Sequence, residues 1–269
     1  MELFEIIKAF ILGIVQGITE WLPISSTGHL IIIENIFKFN LSESFVNTFF
    51  VLIQLGSIIA VVVLFFKKLN PFKKEVKERN NTISLWFKIA VATIPAGIAG
   101  FLFADQIDSV LYNPITVAVM LIVYGIIFII LESKDRKPKT NDLQQISFKL
   151  ALGIGLFQML ALIPGTSRSG ATIIGAVFLG TSRYVASEFS FFLAIPTMLG
   201  ASAYKLVKSG FSFSSLEIAV LLVGSITAFL VSIWAIKFLL DYIKKHDFKV
   251  FGYYRIVLGL VVLLFYLFK

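Results

Sequence analysis

Two apolar stretches of this 269-residue chain are each interrupted by a short run of proline, glycine and hydroxyl residues. Residues 6–37 are broken at 23–29 (PISSTGH), and residues 148–179 are broken at 164–170 (PGTSRSG). Because proline lacks a backbone N–H and ends or kinks a helix, each stretch divides into two half-length apolar arms around a polar turn. This pattern predicts two re-entrant helical hairpins, which are tolerated at membrane depth where the turn is buried in protein or lines an aqueous cavity.

Six further apolar stretches are long enough to cross a membrane, since a helix needs about 20 residues to span the ~30 Å hydrocarbon core. The composition agrees: 58% of the residues are apolar before the 18 glycines are counted, and only 15% are charged, against about 25% in soluble domains. A water-soluble, disordered, collagen-like or nucleic-acid-binding chain is therefore excluded, and the sequence predicts a polytopic membrane protein. The predicted spans are 45–66, 85–103, 115–131, 185–207, 216–239 and 250–268.

The basic residues predict the orientation of the chain. The net charge is +8, but the 24 lysines and arginines lie mostly in short loops rather than on one face, so nucleic acid is not an expected partner. If both interrupted segments turn back, fifteen of them, including Arg136, lie on one side, within 67–79, 134–149 and 244–249 and at 183. The positive-inside rule then places both chain termini outside. The five basic residues of the other side are Lys8, Lys38, Lys205, Lys208 and Lys269.

The chain also contains two halves of similar layout. Each half, about 1–135 and about 145–269, has one interrupted hairpin followed by three spans, within a single membrane domain of residues 1–269. Pro23 and Pro164 are 141 residues apart, and Gln54 and Pro196 follow these prolines by 31 and 32 residues. The predicted fold is an all-α polytopic membrane protein with six transmembrane helices and two re-entrant helical hairpins, arranged as an inverted-topology repeat. Such repeats place a polar site near mid-membrane, where the two broken elements meet.

Three charged residues, Glu20, Arg168 and Glu188, lie within or beside apolar segments, and His29 adds a titratable group. A charge at the bilayer centre costs about 2.5–3.5 kcal/mol on an insertion scale, so unpaired charges there would be strongly destabilising. We therefore expect these residues to face a protected polar cavity and one another. Glu188 also has a structural interpretation, as the partner of Arg168 or as a helix cap.

The first interruption combines an acid with an imidazole and three hydroxyls. Gln16 and Glu20 are four residues apart and so share one face of a helix. A carboxylate with a neighbouring amide oxygen is a partial ligand shell for Mg²⁺ or Ca²⁺, which prefer oxygen. The imidazole and the hydroxyls supply hydrogen-bond donors, a candidate nucleophile and a proton shuttle. These residues are Ser25, Ser26, Thr27 and His29.

The second interruption has the composition of an anion-binding loop. It holds two glycines, which let a ligand approach the backbone closely, and one arginine, whose guanidinium binds phosphate bidentately. It is not a Walker-type loop and carries no lysine. The residues expected to bind an anion are Gly165, Thr166, Ser167, Arg168 and Ser169.

Each feature also has a purely structural explanation. Serine and threonine hydroxyls often bond back to their own helix, a Pro-Gly break can be a kink, and a lone histidine such as His29 can be a satisfied buried residue. A transporter or flippase for an anion or an anionic lipid is an alternative function, because inverted repeats with broken helices are a common transporter design. The hydroxyl–imidazole–carboxylate cluster favours hydrolysis, because transport of an anion does not need these groups.

Residues 20–30 (EWLPISSTGHL), with Gln16 four residues before the glutamate, resemble the first motif of the bacterial undecaprenyl-diphosphate phosphatases of the BacA/UppP type. Residues 164–172 (PGTSRSGAT) resemble their second motif, and 51–56 (VLIQLG) and 187–191 (SEFSF) look like further family segments. The resemblance runs from about residue 11 to the C-terminus, and two long motifs in the correct order are highly specific. The last two segments contain the supporting site candidates Gln54 and Glu188.

The resemblance implies an integral hydrolase of the bacterial cytoplasmic membrane that removes the terminal phosphate of undecaprenyl diphosphate. The products would be inorganic phosphate and undecaprenyl phosphate, the lipid carrier that is recycled for peptidoglycan synthesis. Members of the family need a divalent cation and confer bacitracin resistance when abundant. The predicted orientation opens the first hairpin outward, which favours an active site on the outer side, and the sequence leaves open whether the enzyme is a homodimer.

Roles follow from position in the motifs. Glu20 would be the essential acid and a metal ligand, with Gln16 at the first position of the family's Glu/Gln-x-x-x-Glu pattern. Either Ser26 is the nucleophile with His29 as its base, or His29 and Glu20 activate a water molecule. Many members have glutamate where this chain has Gln16, so the essential carboxylate chemistry is placed on Glu20 alone. The residues expected to hold the diphosphate are Ser167 and Arg168.

Overall fold

The computed structural model describes residues 2–134, 137–210 and 212–268, so Arg136 and Lys269 of the predicted charge balance lie outside the described residues. Within these ranges the chain forms α-helices and two short 3₁₀-helices, Leu143–Gln145 and Leu160–Leu162. The α-helices are α1 (Glu2–Thr19), α2 (Ser26–Ile36), α3 (Glu43–Leu64), α4 (Phe66–Leu69), α5 (Val76–Leu111), α6 (Pro114–Glu132), α7 (Phe148–Met159), α8 (Arg168–Phe178), α9 (Arg183–Ser209), α10 (Ser215–Tyr242) and α11 (Lys249–Leu267).

Six of the helices, α3, α5, α6, α9, α10 and α11, are long and apolar enough to cross a membrane. Each predicted span falls on one of them, which confirms the all-helical, multi-pass class. The 36 residues of α5 extend about 54 Å at 1.5 Å per residue, which exceeds the ~30 Å hydrocarbon core. The two interrupted segments form the helix pairs α1–α2 and α7–α8.

Helix packing exchanges partners between the two halves of the chain. Helix α1 packs mainly against α10, α7 packs mainly against α5, and α6 lies along α11. Glycines permit two close crossings. A Cβ added at Gly56 of α3 would lie 2.1 Å from the carbonyl oxygen of Ser225 in α10, and one added at Gly155 of α7 would lie 2.3 Å from that of Ala92 in α5. Small residues at such points let helix backbones approach, which is a usual basis of helix association in membranes.

Both polar turns are shorter than the sequence predicts. Helix α2 begins at Ser26 and α8 begins at Arg168, so the second half of each expected turn is the first turn of a helix. The cause is a serine cap. The side chains of Ser25 and Ser167 each accept a hydrogen bond from the backbone N–H three residues later, which satisfies one of the free donors at a helix start.

The two capping serines share an unusual backbone conformation. Ser25 and Ser167 both have a φ of 72°, and among the described residues they are the non-glycine residues with positive φ. They are 142 residues apart, so the equivalence between the two interruptions is shifted by one residue from the 141-residue spacing of Pro23 and Pro164. Backbone strain of this kind persists only where the surroundings hold it in place, and it is common at ligand sites.

Candidate active site

An ion pair between Glu20 and Arg168 joins the two interruptions. Glu20 directly follows α1, and Arg168 is the first residue of α8. Nη2 of Arg168 donates to Oε1 of Glu20 at 3.0 Å, and only 11% and 6% of the two side chains are exposed. Nε2 of Gln16 donates to Oε2 of Glu20 at 2.8 Å. The predictions that Glu20 faces Arg168 and shares a helix face with Gln16 are confirmed.

Further contacts fix the orientation of Arg168. Its Nη1 donates to the carbonyl oxygen of Ser190 in α9 at 2.9 Å, and its guanidinium lies 5.5 Å from the centre of the Trp21 ring. The neighbouring Ser169 donates from Oγ to the carbonyl oxygen of Glu20 at 3.0 Å. The guanidinium is therefore oriented before a ligand binds, as a preorganised electrostatic site requires.

The remaining hydroxyls divide into caps and free groups. Ser25 and Ser167 cap α2 and α8, and Thr166 is fully buried. Ser26 and Thr27 lie half-buried in the first turn of α2. The side chain of Ser26 makes no hydrogen bond to the residues that the structure describes. The structural explanation therefore holds for the two caps, and Ser26 is left with a free hydroxyl.

His29 is hydrogen-bonded at both ring nitrogens. Its Nδ1 lies 2.7 Å from the carbonyl oxygen of Ser25, and its Nε2 lies 2.6 Å from the phenol oxygen of Tyr254. A carbonyl only accepts, so Nδ1 carries the proton, and in neutral His29 the Nε2 atom accepts from Tyr254. The two rings also stack, with centroids 5.6 Å apart. Because Ser26 is not hydrogen-bonded to His29, a base role requires Nε2 to exchange Tyr254 for the nucleophile or to act through the phenol.

Helix α11 contributes two residues that the sequence motifs did not reveal, Tyr254 and Arg255. Arg255 is fully buried and donates to carbonyl oxygens of both interruptions, those of Pro23 at 3.2 Å, Gly165 at 2.9 Å and Thr166 at 2.9 Å. An arginine inside an apolar span is itself the signal that would have identified it, because a charge at that depth is costly and usually functional.

The two supporting candidates make other contacts. Glu188 pairs with Lys68, so the expectation that it partners Arg168 is wrong. The reason is that Lys68, after the first span, brings an ammonium group to this carboxylate. The cap of α9 is Ser182 rather than Glu188. Gln54 donates to a carbonyl one turn earlier in its own helix at 3.2 Å.

The donors around Glu20 fit a divalent cation as a partial shell. In the described part of the chain no group of three or more histidine, aspartate or glutamate side chains could hold a metal ion. However, Oε1 of Gln16 is buried without a hydrogen-bond partner, one helical turn from the Glu20 carboxylate. An orphaned amide oxygen beside a carboxylate matches the oxygen preference of Mg²⁺ and Ca²⁺, with phosphate oxygens and water as the remaining ligands.

Comparison with known proteins agrees with the motifs. A family model described as bacitracin resistance protein BacA matches residues 9–261. The chain is 64% identical, over 98% of its length, to undecaprenyl-diphosphatase 1 of Clostridioides difficile strain 630, and it covers 97% of that protein. It is 57% identical to the undecaprenyl-diphosphatase of Acetivibrio thermocellus and 56% identical to that of Enterococcus faecalis, each over 98% of the chain and covering 99% and 98% of those proteins. With its two interrupted segments joined by a buried ion pair, this chain belongs to the bacitracin resistance protein BacA family.

Proposed function

We propose that this chain is a membrane-embedded undecaprenyl-diphosphatase, which hydrolyses undecaprenyl diphosphate to undecaprenyl phosphate and inorganic phosphate. The buried Glu20–Arg168 pair carries the proposal, because it brings a carboxylate and a phosphate-binding group together where two helices begin. The relatives described above are named as undecaprenyl-diphosphatases. None of them is named as a transporter or flippase, so the alternative function is not favoured.

The helix starts supply an anion site. Helices α2 and α8 begin at the two interruptions, and N–H groups in the first turn of a helix have no intrahelical acceptor. These donors and the positive end of the helix dipole favour a phosphate group. Arg168, in the first turn of α8, adds a bidentate guanidinium. A diphosphate bound between the two helix starts therefore meets donors from both halves of the chain.

The geometry accommodates two nucleophiles. In the first route, Oγ of Ser26 bonds to the terminal phosphorus, the bond from this phosphorus to the bridging oxygen breaks, and undecaprenyl phosphate leaves with the electron pair. The serine proton passes to Nε2 of His29, and water then hydrolyses the phosphoserine. In the second route, water attacks directly and gives its proton to His29 or Glu20. In both routes Arg168 and the helix N–H groups stabilise the charge on the transferred phosphoryl group.

A divalent cation, Mg²⁺ or Ca²⁺, is the proposed cofactor, and Glu20 and Gln16 would hold it. The orphaned Oε1 of Gln16 supports this assignment. When bound, the cation supplies positive charge to the diphosphate oxygens. Because the Glu20 carboxylate also accepts hydrogen bonds from Arg168 and Gln16, it would position the guanidinium and the metal relative to each other.

The proposed membrane arrangement is the inverted repeat, with α1–α2 and α7–α8 as re-entrant hairpins and halves of about 1–135 and 145–269 within one domain. Two observations support it. The helix partners exchange symmetrically, α1 with α10 and α7 with α5, and the caps Ser25 and Ser167 have the same φ. The charge balance favours the cytoplasmic membrane of a bacterium, with the basic loops inside and an active site reached from the outer side.

The function is tested by measuring inorganic phosphate released from C55 or C15 isoprenyl diphosphate by the purified chain in detergent. We expect release that stops in EDTA and resumes when Mg²⁺ or Ca²⁺ is added. Detergent abolishes any transmembrane gradient, so a transporter would release no phosphate. Absence of release from a preparation with a cooperative thermal transition contradicts the proposed function, and release that survives EDTA contradicts the cation.

Ser26→Ala separates the two routes. If Ser26 is the nucleophile, we expect kcat to fall by about 10³-fold or more, because removal of a covalent nucleophile leaves only the contribution of the binding groups. Acid quenching of the reaction with terminally labelled substrate should then trap label on the wild-type chain and none on the variant. Near-normal turnover of the variant would contradict the serine route and support direct attack by water.

A further inference from the structure

The charges of the candidate site nearly cancel unless one more residue is counted. Glu20 and Arg168 neutralise each other at 3.0 Å, and His29 is neutral while its Nε2 accepts from Tyr254. A neutral group of this kind offers little net attraction to a diphosphate, which carries several negative charges. Apart from a bound cation, the net positive charge therefore has another source, and α11 supplies it in Arg255.

Arg255 is a buried cation without an acidic partner. None of its side chain is exposed, and no carboxylate among the described residues lies within 4.0 Å of its nitrogens. Its Nη1 donates to the carbonyl oxygen of Pro23, and its Nη2 donates to those of Gly165 and Thr166. The guanidinium also lies 5.4 Å from the centre of the Tyr124 ring. Peptide dipoles of both interruptions thus stabilise the charge, and no anion cancels it.

This arrangement is unfavourable unless the charge has a use. Removing an ion from water carries a large desolvation cost, and well-packed apolar residues can often replace buried ions without loss of stability. An uncompensated guanidinium at low dielectric creates a strong positive potential around it. Since Arg255 contacts both interruptions, this potential is strongest where α2 and α8 begin, which is the place proposed for the diphosphate.

Two glycines of the second interruption leave room for the contact. A Cβ at Gly170 would lie 3.1 Å from Nη1 of Arg255, and a Cβ at Gly165, whose φ is 90°, would lie 2.6 Å from the carbonyl oxygen of Val117. A trans peptide unit points its C=O and N–H in opposite directions. By holding the carbonyl of Thr166, Arg255 therefore turns the following N–H away from itself and fixes the orientation of that donor.

We propose that Arg255 supplies the net positive charge of the diphosphate site and is the positioning residue that holds the two interruptions together; this inference rests on the diphosphatase function proposed above. Its field acts on the binding of the anion, and its hydrogen bonds align the groups contributed by the two halves. Loss of the charge and loss of the forked geometry therefore have separable effects.

Arg255→Met and Arg255→Lys separate these effects. Methionine removes the charge, so we expect the KM for C15 diphosphate and the dissociation constant of inorganic pyrophosphate to rise by about tenfold or more. It also releases the interruptions, so we expect kcat to fall by about 100-fold. Lysine keeps the charge but lacks the fork. It should restore most of the pyrophosphate affinity while kcat stays low. Lys244→Met, which removes a solvated charge in the loop after α10, is the control and should change neither value.

Calorimetric titration with pyrophosphate needs no turnover, so it tests the inference even if the wild-type chain releases no phosphate, a result that would overturn the proposed function alone. Arg255→Met protein that loses activity and thermal stability but binds pyrophosphate like the wild type overturns the inference, because a merely structural residue behaves in this way. If the methionine variant does not fold, the lysine variant decides. Retained affinity with lowered kcat supports the inference, and lost affinity or unchanged kcat overturns it.

Discussion

Replacement of Glu20 by glutamine is expected to lower kcat for phosphate release by about 10²–10⁴-fold. Glutamine keeps the shape of the side chain and can still accept a hydrogen bond from Arg168, but it removes the negative charge and the basic oxygen. Breaking a buried pair costs about 3–5 kcal/mol, so we also expect a lower free energy of unfolding. The measurement is the initial rate at saturating C15 diphosphate, together with the thermal midpoint in the same detergent.

Glu132→Gln is the matched control for this variant. Glu132 is a second glutamate paired with an arginine, Arg183, and only 3% of its side chain is exposed, but neither residue belongs to the candidate site. We expect Glu132→Gln to lower thermal stability and to leave kcat unchanged below the unfolding transition. Equal losses of kcat in both variants, measured where both are folded, would contradict a role for Glu20 in the reaction.

Arg168→Ala is expected to lower kcat/KM by about 10³-fold. The change removes the guanidinium from both Glu20 and Ser190 and leaves the Glu20 carboxylate buried without its counter-charge. Because the lost group binds the diphosphate before the transition state as well as in it, we expect KM to rise, which Glu20→Gln should not cause. Arg168→Lys should recover little of the activity, since a lysine cannot bridge Glu20 and Ser190 with a planar fork.

Two comparisons complete this test. Arg183→Ala removes an arginine paired with a glutamate outside the site and should leave KM unchanged. In the double variant Glu20→Gln/Arg168→Ala, the losses in log kcat/KM should be smaller than the sum of the single losses, because groups that act as a unit are not additive. An unchanged KM for Arg168→Ala, or strictly additive losses, would contradict the role of Arg168 as a diphosphate clamp.

The interruptions and the central ion pair could be predicted because their causes act at single positions. Proline and glycine limit the backbone locally, and a charge in an apolar segment is costly wherever it lies. For this reason Glu20 and Arg168, which are 148 residues apart, were expected to meet, and they do. The six spans were predictable in the same way, since hydropathy needs no knowledge of helix packing.

Side-chain partners across helices could not be predicted, because they depend on the rotation of one helix against another. Glu188 and Ser190 of α9 illustrate this. Two residues apart on a helix corresponds to a rotation of about 200°, so Ser190 reaches Arg168 while Glu188 reaches Lys68. The sequence placed both residues in one family-like segment but contained no signal for which of them faces the site. Arg255 was missed for a related reason, since only the packing of α11 brings it to the interruptions.

The exchange of helices between the halves also sets the order of events during synthesis. Helix α1 ends at Thr19, but its main partner α10 begins only at Ser215. At ribosomal rates of 5–20 residues per second, roughly 10–40 s separate the emergence of the two. Glu20 meanwhile waits for Arg168, because neither a paired charge nor a packed interface yet exists for it. The insertion machinery or the membrane surface must therefore hold the first hairpin until most of the chain has been made, and the reaction centre forms late in biogenesis.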